Sequence, residues 1–265
     1  MGKTKIEWTE RTWNPFRGCT RVSEGCRNCY AERIAARFAK DESNPYFGIS
    51  RFIETKDGSK DARWTGEVRI IEKLMDAPLN IKKPSLIFLN SMSDTFHESV
   101  PNFAIHRLFE VMVAAEQHHF QVLTKHPERL VKLWCGGYLP YGDNIWLGTS
   151  IEDVKSVERL EWLKQVDSRV RWVSAEPLLE DITEAIKPYL HYIDWLVVGG
   201  ESGPKARPMQ PEWAWDLYRA CARYPTRYFF KQMGGRKDKG AKTLRNPKYP
   251  ESLPITNQYP HEWEF

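Results

Sequence analysis

Short apolar runs rich in β-branched residues alternate along the chain with amphipathic segments. The apolar runs predict eight strands, at residues 11–17, 66–71, 85–90, 120–125, 145–150, 170–175, 193–200 and 227–232. The segments between them predict helices at residues 30–40, 72–79, 101–117, 127–134, 153–166, 181–190 and 211–224. Alternating strands and helices are typical of parallel βαβ units, so the pattern predicts an α/β fold.

Eight such units favour a closed TIM-type (β/α) barrel, complete or near-complete, with six to eight βα units. An open, doubly wound sheet is the alternative. The glycine-rich run 198-VGGESG-203 hints at a dinucleotide fold, but it comes at the seventh predicted strand and lacks the G-x-G-x-x-G pattern.

Two segments fall outside the alternation. Residues 41–65 contain turn formers and charges, and we expect them to form an insertion loop after the first helix. Residues 236–265 are basic and then Pro-rich, which predicts a C-terminal extension. Residues 1–235 are therefore predicted to form a single barrel domain, a length that suits this fold.

Composition narrows the cellular context. The 265 residues contain neither a signal-peptide pattern nor an apolar run long enough to span a bilayer, which predicts a cytoplasmic protein without a membrane partner. The net charge of +4 permits an anionic partner without requiring one. The 11 Trp and 11 Tyr suit either stacking on a flat ligand or packing of a core and its cleft, and the second use is the more common.

Polar residues recur where predicted strands end, which is where such barrels place their active sites. Some of these residues have an ordinary alternative role as helix N-caps. Capping does not account for the charged residues, which would all converge on one end of a barrel; they are Lys125, Glu152, Glu176 and Glu201. A shared polar site is the better interpretation.

Three of the five cysteines lie close together in 18-GCTRVSEGCRNCYAE-32, at Cys19, Cys26 and Cys29. Cytosolic thiols stay reduced, so this cluster indicates metal binding or catalysis rather than disulfides. A structural zinc site needs four ligands, so zinc would require Cys135, Cys221 or a histidine as well. A [4Fe–4S] cluster held by three thiolates leaves one iron open for a substrate or cofactor. The spacing alone leaves both interpretations open.

The chain resembles a known family at this point. The resemblance covers roughly residues 4–235 and rests on 6-IEWTERTWNPFRGCTRVSEGCRNCYAERIA-35, 88-FLNSMSDTFH-97, 122-VLTKHPERL-130, 146-WLGTSIED-153, 171-RWVSAEPLL-179 and 196-LVVGGESG-203. These motifs are similar to those of the phage Gp37/Gp68 family (DUF5131), which is related to the radical S-adenosylmethionine (SAM) enzymes.

The resemblance implies a barrel that binds a [4Fe–4S] cluster through Cys19, Cys26 and Cys29. It implies that SAM chelates the open iron and is cleaved to a 5′-deoxyadenosyl radical, which abstracts hydrogen from a substrate. One departure from the wider superfamily concerns the spacing, which is usually C-x3-C-x2-C with an aromatic residue before the last cysteine. Here the first interval is longer, Asn28 takes the aromatic position and Tyr30 follows the last cysteine.

Analogy with such barrels assigns the other site residues. The expected cofactor contacts are Ser150, Glu152, Ser174, Glu176, Gly199, Gly200 and Glu201. The catalytic candidates are Lys125 and Asp94, for substrate contact or proton delivery, and Tyr30, for the adenine contact that the departure from the usual pattern leaves unassigned.

The expected partners are SAM, an electron donor, and a nucleic acid or nucleotide as substrate in a modification or lesion-repair reaction. The basic run 236-RKDKGAKTLRNPK-248 favours such a substrate. The alternative is a non-catalytic zinc or iron–sulfur module that recruits nucleic acid or a partner protein. A metal hydrolase is disfavoured, since the seven His include no H-x-H or H-E-x-x-H spacing.

Overall fold

The protein is described by a computed structural model over residues 1–56, 58–235, 242–246, 248 and 254–260. The chain forms two compact units. The first comprises residues 1–22 and 29–145, and the second comprises residues 23–28 and 146–265. Most of the basic run 236–248 lies outside the described residues, so its predicted role stays a prediction.

The first unit contains a four-strand array in the order β1-β2-β7-β8. The pairs β2-β7 and β7-β8 are parallel, whereas β1 runs antiparallel to β2. Strand β7 is buried along its whole length, as expected for an apolar strand of a parallel array. The strands of this unit are β1 (Gly2–Lys3), β2 (Arg11–Trp13), β3 (Phe16–Arg17), β4 (Ser50–Glu54), β5 (Lys60–Trp64), β6 (Arg69–Ile70), β7 (Leu86–Leu89) and β8 (His119–Thr124).

Three α-helices complete the first unit: α1 (Tyr30–Phe38), α2 (Asn102–Ala114) and α3 (Pro127–Cys135). Short 3₁₀ turns occupy Glu72–Leu74 and Ala77–Asn80, where the sequence pattern predicted a helix. Pro78 lies inside the second turn, and its missing N–H limits continuation of an α-helix.

The second unit contains four consecutive parallel strands, β9 (Ile145–Ser150, of which Ile145 belongs to the first unit), β10 (Arg171–Ala175), β11 (Trp195–Gly199) and β12 (Arg227–Gln232). Its α-helices are α4 (Leu160–Leu163), α5 (Thr183–Ile186) and α6 (Pro211–Cys221). Further 3₁₀ turns lie at Glu24–Cys26, Lys155–Arg159 and Lys187–Tyr192. The predicted helices at 153–166 and 181–190 are therefore each a 3₁₀ turn joined to a short α-helix.

Buried tryptophans account for part of the aromatic content. In the second unit Trp195 packs between Trp146 and Trp172, with ring centroids 6.1 and 5.6 Å away. In the first unit Trp13 packs against Phe120 and donates its indole N–H to the Leu74 carbonyl. Large rings of this kind contribute much of the buried apolar area of a core.

Seven of the eight predicted strands contribute to the parallel arrays. Residues 66–71 do not, because only β6 forms there and it pairs antiparallel with β3. The first predicted strand, 11–17, is split into β2 and β3 around Asn14 and Pro15. A proline cannot donate a ladder hydrogen bond, which favours a break at that point.

The segment 41–65 is more ordered than its turn formers and charges indicated. Strands β4 and β5 form an antiparallel hairpin within it, with Ser50 opposite Trp64 and Glu54 opposite Lys60. Alternating exposure along β4 is weak, so the sequence pattern did not reveal a strand there.

The last described segment of the chain, 254–260, lies along β12. The Gln258 N–H donates to the Tyr228 carbonyl, and the Asn257 side chain bonds both the N–H and the C=O of Phe230. These contacts satisfy backbone groups that would otherwise be open at the outer side of the strand.

The structure confirms a mixed α/β fold in which most of the strand pairs are parallel. Within the described residues, no helix is both long and apolar enough to cross a bilayer.

Candidate functional site

The chain that leads to Cys19 is held by the loop after β7. The Asn14 side-chain oxygen accepts hydrogen bonds from the Ser91 hydroxyl and the Met92 N–H, at 3.0 and 3.2 Å. The Gly18 N–H donates to the Met92 carbonyl, and Gly18 forms a parallel bridge with Ser93. The polar run 90-NSMSD-94 thus has a structural use that the sequence did not reveal, since it fixes the segment before the first cysteine.

Thr20, the residue after Cys19, is fixed by a buried histidine. His97 Nδ1 accepts the Ser99 N–H at 3.1 Å, so the neutral ring carries its proton on Nε2 and donates to Thr20 Oγ1 at 2.8 Å. Burial is the main cause that lowers the pKa of His97, followed by the neighbouring His126. The lowered pKa favours the neutral ring, and this hydrogen-bond pattern needs the neutral ring because Nδ1 acts as an acceptor.

Arg21 and Glu32 join the loop after Cys19 to the helix that begins after Cys29. The Arg21 guanidinium donates to the Glu32 carboxylate through both Nε and Nη2. The same carboxylate accepts the Trp64 N–H at 2.7 Å, and Ser50 Oγ donates to the Glu32 carbonyl. Helix α1 and the hairpin are thereby fixed to the cysteine-bearing loop within the first unit.

The catalytic candidates of the first unit lie in different environments. Tyr30 is 50 % exposed, and its hydroxyl donates to the Ser91 carbonyl at 2.9 Å. Asp94 is buried, and its carboxylate accepts the Thr124 hydroxyl and the N–H groups of Phe96 and Lys125, at 2.7, 2.9 and 2.8 Å. These contacts are those of a carboxylate that organises a turn.

In the second unit a charged residue follows each of three parallel strands. After β10, the Glu176 carboxylate pairs with Lys231 of β12, with Nζ to Oε1 at 2.9 Å and to Oε2 at 3.2 Å. The Ser174 hydroxyl donates to Oε2 at 3.3 Å. This pair retains partial solvent exposure, with side-chain values of 17 % for Lys231 and 13 % for Glu176.

Glu152, after β9, is fully buried. Its Oε2 accepts Arg159 Nη1 at 3.0 Å, and its Oε1 accepts the Ser23 hydroxyl at 3.2 Å. The Ser23 hydroxyl also lies 3.7 Å from Cys26 Sγ. A Cβ at Gly25 would come within 2.4 Å of Glu152 Cγ, so the glycine permits this close packing.

Glu201, after β11, is paired with Arg207, which donates through its side chain and its backbone N–H. Asn28 Nδ2 donates to Glu201 Oε2 and to the Lys205 carbonyl, both at 2.9 Å. Burial acts to raise the pKa of Glu201, but the hydrogen bonds from Arg207 and Asn28 outweigh it and the pKa is lowered. Glu201 is therefore a carboxylate anion whose charge is stabilised by side chains of this protein, Arg207 and Asn28.

Close packing explains Gly199 and Gly200, the two glycines among the predicted cofactor contacts. A Cβ on Gly199 would lie 2.5 Å from Glu176 Oε1, and one on Gly200 would lie 2.0 Å from the Met233 carbonyl. Both positions need a residue without a side chain, whatever else contacts them.

Cys19, Cys26 and Cys29 are partly buried, Cys135 is exposed and Cys221 is buried. Burial raises the pKa of Cys221 to about 12, as expected for an inert core thiol. No preformed group of three or more Cys, His, Asp or Glu side chains able to hold a metal ion is present in the described part of the chain. The chemistry of the three-thiol set, rather than a preformed geometry, is what suits an iron–sulfur cluster.

Several residues that make the contacts described above were not predicted from the sequence, namely Ser23, Arg159 and Arg207 of the second unit, and Arg21 and Glu32 of the first. Ser23 had a detectable signal, because it lies between the cysteines. Glu32 in the first turn of α1 resembles an ordinary carboxylate at a helix N-terminus, and nothing in the sequence connects Arg159 or Arg207 to a partner.

Fold and site together define a mixed α/β protein with charged residues at its parallel strand ends and three thiols on the segment after β3. A model of the family described as protein of unknown function (DUF5131) matches residues 3–253. The chain belongs to this family, which confirms the family predicted from its motifs.

Two solved structures match the chain, each with a TM-score below 0.5. Spore photoproduct lyase complexed with dinucleoside spore photoproduct has a TM-score of 0.49 and 12 % identity, over 86 % of this chain and 78 % of that one. A point mutant of spore photoproduct lyase has a TM-score of 0.46 and 12 % identity, over 94 % and 72 % of the two chains. A search of the curated proteins finds no match.

Proposed function

We propose that this protein is a radical SAM enzyme in which Cys19, Cys26 and Cys29 bind a [4Fe–4S] cluster. The observation that carries the proposal is the set of three thiols in C-x6-C-x2-C spacing, on a segment whose flanking residues are fixed by side-chain hydrogen bonds. Three thiolates leave one iron open, and SAM is the ligand expected there. When bound, these groups supply a carbon-centred radical that removes hydrogen from a substrate.

The strand ends of the second unit provide the proposed SAM contacts. Ser150, Ser174 and Glu176 remain candidates for the polar parts of SAM, and Glu176 is already balanced by Lys231. A partly exposed ion pair can exchange one of its hydrogen bonds for a ligand, whereas a closed buried pair cannot do so without a large desolvation cost. Gly199 and Gly200 remain candidates for contact with SAM through their backbone atoms, because their Cβ positions are already occupied by Glu176 and the Met233 carbonyl.

In the first unit, Tyr30 and Lys125 are the candidates for contact with adenine and substrate. The Tyr30 side chain is half exposed and its hydroxyl is held by the Ser91 carbonyl, and an aromatic ring is a group that can stack on adenine. Asp94 would act through Lys125, because it fixes that residue by its backbone N–H. We further propose that the parallel strands belong to a barrel of six to eight βα units.

The proposed substrate is a nucleic acid or nucleotide, in agreement with the positive net charge of the chain. Binding to a polynucleotide should weaken steeply as salt concentration rises, because counterion release contributes much of the affinity. An electron donor is a required partner of the reaction.

The test is anaerobic reconstitution with iron and sulfide, followed by visible absorbance and electron spin resonance of the reduced protein with and without SAM. We expect a [4Fe–4S] signal that shifts with SAM and is lost in C19A, C26A and C29A. The matched control is C135A, an exposed cysteine outside the set. Uptake of one tetrahedral zinc with no response to SAM would replace this proposal with the non-catalytic recruiting module.

A further inference from the structure

Two of the three strand-end glutamates contact the loop that carries Cys26. This loop, Ser23–Asn28, belongs to the second unit together with β9 and β11. Glu152 follows β9 and bonds the first residue of the loop, whereas Glu201 follows β11 and bonds the last. The loop is thus held at both ends by carboxylates that the sequence analysis assigned to SAM.

Neither carboxylate has the character of an open ligand site. Glu152 is fully buried, and each of its oxygens already accepts a hydrogen bond, from Ser23 and from Arg159. Glu201 is 5 % exposed and is bonded by Arg207 and Asn28. Removing either partner to admit a ligand would leave a buried charge unpaired, which is strongly unfavourable.

Arg207 extends the contact between Glu201 and the loop to Glu24, the second residue of the loop. Its Nη2 donates to the Glu24 carbonyl at 2.9 Å, and its Nη1 lies 3.5 Å from the Glu24 carboxylate. One guanidinium therefore joins Glu201 to the 3₁₀ turn Glu24–Cys26. The planar fork of arginine can bond both groups at once, which lysine cannot reproduce.

The contact between Glu152 and Ser23 also reaches the thiol of Cys26. The Ser23 hydroxyl lies 3.2 Å from Glu152 Oε1 and 3.7 Å from Cys26 Sγ. A hydroxyl has one proton and two acceptor lone pairs, so it can donate to Glu152 while accepting the S–H of Cys26, or donate to a deprotonated sulfur. Hydrogen bonds to a metal-bound sulfur orient it and alter the reduction potential of an iron–sulfur cluster.

We infer that Glu152 and Glu201 are positioning residues, which hold the Ser23–Asn28 loop and place Cys26 for metal binding through Ser23 and through Asn28 with Arg207. The inference rests on the proposed function for the identity of the metal group. The third strand-end glutamate, Glu176, is left as the carboxylate available to SAM.

The first experiment measures how fast trypsin cleaves the Ser23–Asn28 loop in the metal-free full-length protein. Trypsin should cleave slowly after Arg27 in the wild type, and at least tenfold faster in R207A, E201A and N28A. N28A removes only the loop side of the contact and keeps the measurement informative if a glutamate variant does not fold. E184Q, which alters an exposed ion pair with Lys187 in the same unit, is the matched control and should cleave like the wild type.

The second experiment measures the sulfur environment after anaerobic reconstitution. S23A should shift the spin-resonance spectrum of the reduced cluster, and S23T, which retains the hydroxyl, should restore it. Alkylation of Cys26 in the metal-free protein should be faster in S23A than in S23T. A purely structural role for Ser23 would leave the spectrum unchanged.

Wild-type resistance to trypsin in R207A, E201A and N28A would overturn the inference, and so would an unchanged spectrum in S23A. If the wild type takes up no iron but the three variants lose protection after Arg27, the loop assignment stands and the proposed function fails. Failure of the loop assignment and failure of the proposed function therefore give different experimental results.

Discussion

At the scale of single residues, the contacts around the cysteines show why particular side chains are required. Gly18 adopts a positive φ of 104°, and a Cβ there would lie 2.1 Å from the Glu67 carbonyl. Asn90 also has a positive φ, of 55°, and its buried side chain accepts the Phe16 N–H and donates to Thr95. Asparagine tolerates this conformation better than most residues, and its amide pairs two otherwise buried polar groups.

Replacing Gly18 by alanine should therefore destabilise the first unit. We expect G18A to lower the free energy of unfolding by about 2 kcal/mol or more, since backbone strain is added to a steric clash. Urea denaturation of the full chain would measure this change.

The control for that prediction is G48A. Gly48 has a similar positive φ of 75° but has no heavy atom within 4 Å of a built Cβ. We expect its cost to be about 1 kcal/mol, from the backbone term alone. Equal losses in the two variants would show that the contact with Glu67 is not important.

At the scale of elements, the hairpin β4-β5 depends on a partner that is distant in sequence. Glu32 of α1 accepts the Trp64 N–H and the Arg21 guanidinium, and its own carbonyl accepts Ser50 Oγ. The Glu32 side chain is 1 % exposed and Arg21 is 21 % exposed. The buried carboxylate of Glu32 joins helix α1, the hairpin β4-β5 and the segment that follows Cys19.

E32A should release the hairpin and destabilise the chain. Breaking a largely buried ion pair leaves Arg21 without this carboxylate, at a cost of about 3 kcal/mol. Hydrogen exchange should show loss of protection at residues 50–64, with a smaller effect in E32Q, which keeps an acceptor for the Trp64 N–H. E184A, at an exposed ion pair, should change stability by less than about 1 kcal/mol. Retained protection in E32A would contradict this role.

At the scale of the whole molecule, the chain consists of two compact units. The first contains Cys19, Cys29, Tyr30 and Lys125, and the second contains Cys26 with the three strand-end glutamates. Stability of the folded chain should also depend on pH through buried histidines. His118 is fully buried, donates from Nε2 to the Pro78 carbonyl, and has a pKa lowered chiefly by burial.

Because the unfolded chain binds a proton at His118 more tightly than the folded chain, acid favours unfolding. The contribution of His118 is complete above about pH 6.5 and is lost as the pH falls towards the lower pKa of the folded state. H118Q can still donate to Pro78 but cannot titrate, so its stability should fall less between about pH 7.5 and about pH 5.5. Urea denaturation at both pH values would measure the difference. H106Q, at an exposed position of α2, should retain the wild-type slope.

Local patterns in the sequence were sufficient to predict a mixed α/β fold and much of the element order. The apolar runs at 85–90, 120–125, 145–150 and 227–232 correspond to β7, β8, β9 and β12, because a strand buried on both faces is nearly continuous in hydrophobicity. The family was also predictable from short motifs. The prediction that residues 66–71 form a strand of the parallel array was wrong, because the same composition also suits a short strand outside the parallel arrays.

What the sequence determined by itself is the set of groups: an α/β chain, three clustered thiols, and glutamates at the ends of apolar strands. Only the tertiary structure decided how those glutamates are used. Glu152, Glu176 and Glu201 look alike in sequence, yet two hold the Cys26 loop and one faces Lys231. The physical reason is that the role of a carboxylate depends on its burial and on which donors reach it. Each of the three glutamates has a donor that is distant along the chain: Ser23 for Glu152, Asn28 for Glu201 and Lys231 for Glu176, at separations of 55 to 173 residues.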